Sequence, residues 1–572
     1  MFRQKRLFFC FSFLFLVFSL FIVRLFQIQL FRHKFFIQQV KKQYVCYERK
    51  ESLRGMIFDR NGSNLVLSKE VDSCVAWPKQ IKDKNRTIKG LTPILNLDES
   101  EIRSKFFSSR NFVWLKRKIS SLEAEKIQKL GLQGVNLVKE GKRFYPEGNL
   151  LWHLLGKVNI DNEGIAGIEL AYNDLLQGNA VNELKARDAS GKKIDLVVPS
   201  PAVEQKKAGN LVLTIDKQIQ HIAERELTKI YRETKAKKAT LLVQDVNTGE
   251  ILAWVCCPTY AEEEWKKNPL LLSNPGLNET IEPGSTFKVI PAAFALEENV
   301  TNPKEKYDCE NGLFELHGIK IRDHEKRGIL TFSEVLGYSS NIGMAKLGLR
   351  FNKQKFYQYV YNFGFGSPTG INLPGESPGI FDNQRTRFSA SAVSLPIMCY
   401  GQGIGVTALQ LVTAYSAIAN GGLLMEPQVV KEVRDEKDKL LWQAQPVVIR
   451  RVLSEKTARL LQEMLEGVVE WGTGTNAKIK GYRIAGKTGT SQKFEPAIDK
   501  YSDTRHTASF CGFFPLPNPQ WTILVILDEP QTGSYWGGTI AAPVFARVAE
   551  QMLNYFRILP ESNKYAQVKK SP

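Results

Sequence analysis

One long apolar stretch near the amino terminus stands apart from the shorter hydrophobic runs of the chain. Residues 7–23 are uncharged and dominated by Phe and Leu, and Arg3, Lys5 and Arg6 precede them. A stretch of this length is near the lower limit for a helix that crosses a bilayer. Arg24 follows it, where a secretory signal would end in small residues. We therefore predict an uncleaved single-pass anchor, with the amino terminus in the cytoplasm and the rest of the chain exported.

The shorter apolar runs predict strands and helices with identifiable ends. Four of them predict strands and the last predicts a helix: 241–244, 251–255, 507–514, 521–527 and 541–555. The turn sequence at 247–249, Asn-Thr-Gly, lies between the first two strands and predicts an antiparallel hairpin. Thr407 and Gln410 have the spacing of a capping box for a helix that stops at Gly421.

Changes in composition along the chain predict its domain organisation. Residues 1–45 contain the cytoplasmic amino terminus, the anchor and a juxtamembrane segment. Residues 46–205 form a first mixed domain, and residues 206–556 form a second one, entered through a polar linker near 205–210. The Lys-bearing residues 557–572 predict a flexible tail.

Charge and cysteine content exclude several function classes. The 572 residues include 78 basic and 59 acidic side chains, a net charge of +19, but the charges are scattered and no basic stripe alternates with aromatics. We therefore predict no nucleic-acid partner and favour a protein that acts near an anionic lipid or polymer.

The eight cysteines are irregularly spaced, with no Cys-x-x-Cys pair, and the six histidines form no cluster. This pattern predicts buried thiols, no disulfide framework and no metal or other cofactor.

The first chemical motif is Ser285-Thr286-Phe287-Lys288, which follows Pro283-Gly284 and precedes an apolar run. If Ser285 opens a helix, Ser285 and Lys288 lie one turn apart on the same face. A buried lysine with a lowered pKa can take the proton of a serine nucleophile. Pro291 should kink that helix unless its neighbours adjust. By itself the motif is weak, since Ser190 and Lys193 have the same spacing in an apparent loop and a helix cap would explain Ser285 equally well.

Two further motifs follow in the chain. Ser339-Ser340-Asn341 places a hydroxyl and an amide where they can relay a proton and hold a substrate amide, although Ser109-x-Asn111 has the same pattern. Lys487-Thr488-Gly489-Thr490 occurs once and suits a carboxylate-bearing peptide: Lys487 supplies charge, Thr488 and Thr490 supply hydrogen bonds, and Gly489 leaves room at a strand edge.

The region around Lys487 also matches a phosphate-binding loop. Residues 481–488 fit Gly-x4-Gly-Lys-Thr, and 523–527 followed by Asp528 resemble the acidic strand end of an ATPase. A phosphate loop must open directly into a helix, whereas Lys487 leads into Gly489 and then Pro496 without helical periodicity. We therefore predict a strand here and no nucleotide site.

The order Ser-x-x-Lys, Ser-x-Asn, Lys-Thr-Gly is the set that characterises β-lactamases and penicillin-binding proteins. With these motifs the chain resembles the class B penicillin-binding proteins, from the anchor to about residue 555. The resemblance includes Glu282-Pro283-Gly284 before Ser285 and Tyr535-Trp536-Gly537-Gly538 near the end. In the first domain it includes the sequences around Arg54, Arg143 and Glu169, which we interpret as structural.

The resemblance implies an α+β class: a penicillin-binding transpeptidase fold, with an antiparallel sheet covered by helices, on a non-catalytic pedestal of the dimerisation type and one transmembrane helix. It implies that Ser285 is the acylated nucleophile and Lys288 its base, and that Ser339 and Asn341 protonate the leaving D-alanine and position the peptide. Lys487, Thr488 and Thr490 would bind the terminal carboxylate. The amides of Ser285 and Thr490 would form the oxyanion hole.

The implied function is cross-linking of peptidoglycan stem peptides during septal cell-wall synthesis, outside the cytoplasmic (inner) membrane, with β-lactams as inhibitors. The implied partners are a polytopic glycosyltransferase and other division proteins. Four alternatives stay open: an elongation-specific transpeptidase, a class A β-lactamase, a β-lactam sensor, and a catalytically silent division scaffold.

Overall fold

The chain divides into two compact units. The computed structural model describes residues 2–36, 45–50, 52–178, 181–187, 193–197, 208–381, 393–495 and 500–560. The first unit comprises Met1–Leu53, Asp72–Gly141 and Gly178–Ala208, and the second comprises Arg54–Val71, Lys142–Gln177 and Gly209–Pro572. Residues 205–207 of the predicted linker and residues 561–572 of the predicted tail lie outside the described residues. The domain boundaries proposed from the sequence stay predictions.

The first unit begins with the predicted apolar helix. It runs over Phe2–Phe26 and continues as a π-helical turn, Gln27–Phe31. The stretch Lys5–Phe31 is long and apolar enough to cross a membrane, and its side chains are not buried by the rest of the protein. This helix fits a single-pass membrane anchor.

The remainder of the first unit is a small α+β core. Its elements are the three paired strands Val45–Lys50, Val181–Arg187 and Lys193–Val197, the helices Lys84–Leu95, Glu99–Phe106 and Ser121–Leu130, the strand Val113–Lys116, the end of Asn64–Ala76 and the start of Val135–Phe144. Ile88, Leu91 and Phe106 are fully buried between these helices. The helix Ser121–Leu130 is defined by a capping box at Ser120, which satisfies free N–H groups of its first turn.

The second unit contains a five-stranded sheet in which every neighbouring pair is antiparallel. In spatial order its strands are Ile251–Cys257, Lys238–Asp245, Trp521–Asp528, Lys500–Phe514 and Ala485–Glu495. The predicted hairpin and the two predicted carboxy-terminal strands are confirmed. Lys487 lies on an edge strand paired with Lys500–Phe514, so the strand predicted for this region is confirmed too.

Both faces of this sheet are buried, and successive residues alternate between two cores. Ile523, Val525 and Leu527 pack with the helices Lys217–Thr234 and Ala542–Tyr555. Leu524 and Ile526 belong to the core on the other face, with the helices Val289–Glu297 and Ala408–Ala419. A strand buried on both faces reads as an unbroken apolar run. The predicted α+β class, an antiparallel sheet covered by helices, is confirmed, as are the capping box at Thr407 and the carboxy-terminal helix.

Smaller elements complete the second unit. A second sheet joins Leu440–Gln443, Val430–Arg434, Asn210–Leu213, Ile57–Phe58 and the start of Asn64–Ala76, and three two-stranded sheets pair Lys306–Asp308 with Ile329–Thr331, Leu313–Leu316 with Ile319–Arg322, and Leu423–Met425 with Val448–Arg451. The remaining α-helices are Trp152–Leu155, Gly167–Ala171, Asn173–Leu176, Glu262–Lys267, Pro275–Asn278, Phe332–Gly337, Asn341–Gly348, Lys353–Asn362, Ser394–Met398, Glu455–Glu470 and Gly537–Ile540. The 3-10 helices are Pro269–Leu272, Gly284–Lys288, Glu310–Gly312 and Thr475–Ala477.

A buried ion-pair network within the second unit joins segments that are distant in sequence. Glu169 is fully buried, and its two carboxylate oxygens accept from Arg54 Nε and Arg143 Nε, each at 2.6 Å. Arg143 also donates to the carbonyl of Gly55 at 2.5 Å and to Ser68 Oγ at 2.8 Å. The structural interpretation of these three residues is consistent with this arrangement, because each charge is paired and also hydrogen-bonded.

We expect Glu169→Ala to lower the free energy of unfolding by about 3–5 kcal/mol, because it leaves two buried guanidinium groups without their carboxylate. Denaturant unfolding of the purified protein measures this change. Glu163→Ala is the matched control: Glu163 is exposed and its side chain pairs with Asn159, so its loss should cost less than about 1 kcal/mol. Equal effects of the two substitutions would contradict a structural role for the network.

Candidate active site

Ser285 lies on a tight turn before a buried helix. The segment Gly284–Lys288 is a 3-10 helix, and the α-helix Val289–Glu297 follows it directly. The expectation of a regular helix from Ser285 is therefore wrong for this first turn. Because the α-helix begins at Val289, Pro291 falls in its first turn, where a backbone N–H has no intrahelical partner. The change of helix type accommodates the proline without a kink further along.

Lys288 is fully buried and points its ammonium group at the second motif. Its Nζ donates to the backbone carbonyl of Ser339 at 2.5 Å, to Ser339 Oγ at 3.1 Å and to Asn341 Oδ1 at 2.8 Å. These three acceptors match the three donors of an ammonium group. Lys288 thus links the turn Gly284–Lys288, which carries Ser285, to the second motif.

The second motif is held by local backbone geometry and by one aspartate. Ser339 has a left-handed backbone with φ of 63°, a conformation that costs a non-glycine residue energy and is often found at functional sites. Ser340 caps the helix Asn341–Gly348. Asp323 accepts from Ser340 Oγ at 2.5 Å and from the N–H groups of Asn341 and Ile342 at 2.6 and 3.0 Å. This carboxylate at a helix amino terminus fixes the position of Asn341.

The third motif lies on the edge strand Ala485–Glu495. Lys487 is fully buried, and its Nζ is 3.3 Å from the carbonyl oxygen and 3.4 Å from Oγ1 of Thr488. The N–H of Gly537 donates to Thr490 Oγ1 at 3.0 Å. Among the described residues this strand pairs on one side only, with Lys500–Phe514, so its other side is a sheet edge.

Gly489 allows this strand to approach the turn that carries Ser285. A Cβ atom at this position would clash with Ser509 Oγ of the neighbouring strand, and it would lie 2.9 Å from Thr286 Cγ2 and 3.1 Å from the carbonyl oxygen of Pro283. The sequence predicted that Gly489 leaves room for a substrate, whereas Ser509 and the segment that carries Ser285 occupy the space next to its Cα. Its role as a substrate contact stays a prediction, and its structural role is close packing.

Burial lowers the pKa of both lysines. Burial is the largest cause for Lys288 and lowers its pKa to about 7, while the nearby Asp323 carboxylate opposes the shift. Burial lowers the pKa of Lys487 well below its usual range, and the charge of Lys288 lowers it further. Two cations buried near one another favour a neutral amine on one of them, and they favour an anionic group brought into the site.

Two cavities meet at Ser285. One of about 700 Å³ is lined by Ser285, Ser339 and Asn341 together with Thr488 and Thr490. The other, of about 470 Å³, shares Ser285, Asn341 and Thr490 with the first. Residues from all three sequence motifs therefore line the same space. Ser285 thus lies beside a strand edge that carries hydroxyl groups and beside Ser339, to which the buried amine of Lys288 is hydrogen-bonded, and such an arrangement can carry out acyl transfer.

Several residues around the cavities were missed by the sequence interpretation. Asp323 follows a short strand inside a charged sequence, where nothing distinguishes it from solvated neighbours. His506 stacks on Tyr535 with ring centroids 4.2 Å apart, and Trp536 packs against His324 at 4.1 Å. These four rings line the larger cavity. For Tyr535 and Trp536, the family resemblance of the Tyr535-Trp536-Gly537-Gly538 sequence could have indicated a place near the site.

Comparisons with known proteins place the chain in a known family. The family model for the penicillin binding protein transpeptidase domain matches residues 239–550, and the model for the penicillin-binding protein dimerisation domain matches residues 49–214. The chain is 35% identical over 528 residues to stage V sporulation protein D of Bacillus subtilis, covering 90% of this chain and 80% of that protein. It is 32% identical over 518 residues to peptidoglycan D,D-transpeptidase FtsI of Escherichia coli, covering 89% of this chain and 84% of that protein.

A similar solved structure is that of penicillin binding protein 3 of Mycobacterium tuberculosis in complex with aztreonam. It superposes with a TM-score of 0.68 at 25% identity, covering 90% of this chain and 98% of the other.

Proposed function

Because the chain belongs to the class B penicillin-binding proteins, of the septal FtsI-like type, we propose that Ser285 is the acylated nucleophile of this peptidoglycan D,D-transpeptidase. The observation that carries the proposal is the meeting of Ser285, Ser339, Asn341, Thr488 and Thr490 around one cavity. These residues are far apart in the sequence, and chance placement would not put all three motifs around one serine.

Acylation begins with the transfer of the Ser285 hydroxyl proton to the neutral amine of Lys288. Ser285 Oγ then bonds to the carbonyl carbon of the penultimate D-alanine, and the amide bond to the terminal D-alanine breaks. Ser339 Oγ, 3.1 Å from Lys288 Nζ, passes the proton to the leaving amine. An amine of a neighbouring stem peptide attacks the ester, which restores the Ser285 hydroxyl and forms the cross-link.

The third motif binds the terminal carboxylate of the donor peptide. The bound carboxylate favours the charged form of Lys487, which burial and the charge of Lys288 disfavour in its absence, and the hydroxyls of Thr488 and Thr490 donate hydrogen bonds. The N–H groups of Ser285 and Thr490 stabilise the oxyanion of the tetrahedral intermediate. The two cavities that share Ser285 suit a reaction with two peptide substrates, one donating and one accepting. A β-lactam carboxylate would take the place of the donor carboxylate.

A fluorescent penicillin should label the wild-type protein stoichiometrically, and Ser285→Ala should abolish the label because the attacking oxygen is gone. Ser190→Ala, which changes the other Ser-x-x-Lys sequence, should label like the wild type. Peptide mapping of the adduct gives the acylated residue. Rapid release of the label would instead indicate a β-lactamase, and no labelling of the wild type would indicate a silent scaffold.

The rate of acylation by penicillin should rise between pH 5 and 8, with a midpoint near the lowered Lys288 pKa of about 7. The base acts in its neutral form, which is scarce below that pKa and predominant above it. Lys288→Arg keeps the charge but cannot lose a proton at these pH values, and it should slow acylation by about 10²–10⁴-fold. Stopped-flow measurements across this range test both points. A flat wild-type profile would exclude Lys288 as the base.

The non-catalytic part of the protein positions this enzyme for septal synthesis. We propose residues 46–205 as the pedestal and 206–556 as the transpeptidase domain, which the two matched family models support. The helix Phe2–Phe26 anchors the chain in the cytoplasmic membrane, with the catalytic domain on the outer side. A polytopic glycosyltransferase and other division proteins are the proposed partners, as the family resemblance implies.

Depletion of the protein in its host should give filaments that fail to form septa, since septal cross-linking stops while elongation continues. Microscopy of depleted cells, with a Ser285→Ala copy as control, measures this. Rounded cells would show an elongation role instead. Normal vegetative division with defective spores would show a role like that suggested by the name of the Bacillus subtilis relative.

A further inference from the structure

The carboxyl group of Glu282, shortly before Ser285 in the chain, has no part in the reaction proposed above. Its Oε1 accepts from the N–H of Gly403 at 3.0 Å and from the hydroxyl of Tyr501 at 3.1 Å. Its Oε2 is buried and has no hydrogen-bond partner among the residues that the structure describes. Burying an acidic group with one oxygen unpaired costs free energy, so the contacts that it does make need an explanation.

The backbone around Glu282 is joined to the same surroundings. Its carbonyl oxygen accepts from Ser491 Oγ, on the strand of the third motif, at 2.9 Å. The N–H of Gly284 donates to the carbonyl of Gly401 at 3.0 Å. The turn that carries Ser285 is therefore tied to the edge strand and to a loop that is distant in sequence.

These contacts hold one wall of the smaller cavity. Gly403 and Tyr501, the two donors to the carboxyl group, line the cavity of about 470 Å³ together with Ser285 and Ser491. Glu282 itself is not among the described residues that line it, so it acts on a bound molecule only through the residues that it holds. Both donors contact the same oxygen, so the loss of that oxygen would release both.

The protonation state of Glu282 does not change this arrangement. Burial raises the pKa of its carboxyl group to about 7, and the hydrogen bonds from Gly403 and Tyr501 oppose the shift. Burial and the negative charge of Glu282 both raise the pKa of the Tyr501 phenol, which therefore stays a donor. Oε1 accepts both hydrogen bonds whether or not Oε2 carries a proton. An amide side chain of the same shape would accept them too.

The proposed reaction indicates which part of the donor peptide meets this wall. In that reaction the leaving D-alanine occupies the larger cavity, where Ser339 and Thr488 lie, and the acceptor amine later takes its place. The acyl part stays bonded to Ser285 and has the smaller cavity beside the same serine. In a penicillin the acylamino side chain belongs to this acyl part.

We propose that Glu282 is a positioning residue, which holds Gly403 and Tyr501 as a fixed wall against the acyl part of the substrate. The proposal rests on the proposed function, since it takes Ser285 as the acylated residue. A packing role alone would affect all substrates alike, whereas a wall for the acyl part affects only the substrates that reach it.

The test compares acylation by benzylpenicillin, which has a bulky acylamino side chain, with acylation by 6-aminopenicillanic acid, which has none. Glu282→Ala should lower the second-order rate of acylation by benzylpenicillin about tenfold and change that of 6-aminopenicillanic acid less than about twofold. Glu282→Gln keeps the oxygen acceptor and should restore about half of the wild-type rate or more. Stopped-flow measurement on the full-length protein gives both rates.

Glu224→Ala is the matched control. Burial also raises the pKa of the Glu224 carboxyl to about 7, and its Oε2 is also buried without a partner among the described residues. Glu224 is not one of the described residues that line the two cavities at Ser285, so its variant should react like the wild type with both compounds.

A second variant keeps the proposal testable if Glu282→Ala does not fold. Tyr501→Phe removes one of the two hydrogen bonds to Glu282 and keeps the aromatic ring. It should give a smaller loss, about threefold, again with benzylpenicillin only.

Three results would overturn the proposal: equal losses with the two compounds, an unchanged rate with benzylpenicillin, or a loss in Glu282→Gln as large as that in Glu282→Ala. Each of these leaves Ser285 as the nucleophile. Failure of both compounds to acylate Ser285 in the wild type would instead overturn the proposed function, and this inference with it.

Discussion

The buried amine of Lys288 is the interaction on which the rest of the site depends. Its three hydrogen bonds reach the carbonyl and hydroxyl of Ser339 and the amide oxygen of Asn341. One side chain therefore holds the turn that carries Ser285 against the second motif. The burial that makes these hydrogen bonds strong also lowers the pKa of the amine to about 7. Positioning and reactivity therefore have the same physical origin.

The scaffold keeps this amine buried through close contacts that only small residues permit. Gly489 brings the third motif against Thr286 and Pro283, and Gly537 approaches the carbonyl oxygens of Gly489 and Ser509. The five-stranded sheet, buried on both faces, gives these contacts a rigid base. Asp323 contributes differently, because its negative charge holds the helix that begins at Asn341 and partly offsets the fall in the Lys288 pKa.

The edge strand Ala485–Glu495 lies beside the cavity that Ser285, Ser339 and Asn341 line. Burial lowers the pKa of the two lysines of this region, Lys288 and Lys487, and the charge of Lys288 lowers the pKa of Lys487 further. An anionic group that enters this region would therefore favour the charged form of either lysine.

The sequence alone determined the amino-terminal apolar helix, the main strands and helices and the three motifs, because these depend on local patterns: a long apolar run, alternation, caps and short spacings. It also predicted Ser285, Lys288, Ser339, Asn341, Lys487, Thr488 and Thr490 as one site, through their order and the family resemblance. Only the tertiary structure decided that Ser285 lies on a 3-10 turn and that Gly489 packs against that turn. The hydrogen bonds of Asp323 and Glu282 likewise emerged only from the fold, since burial and pairing depend on contacts between residues distant in the chain.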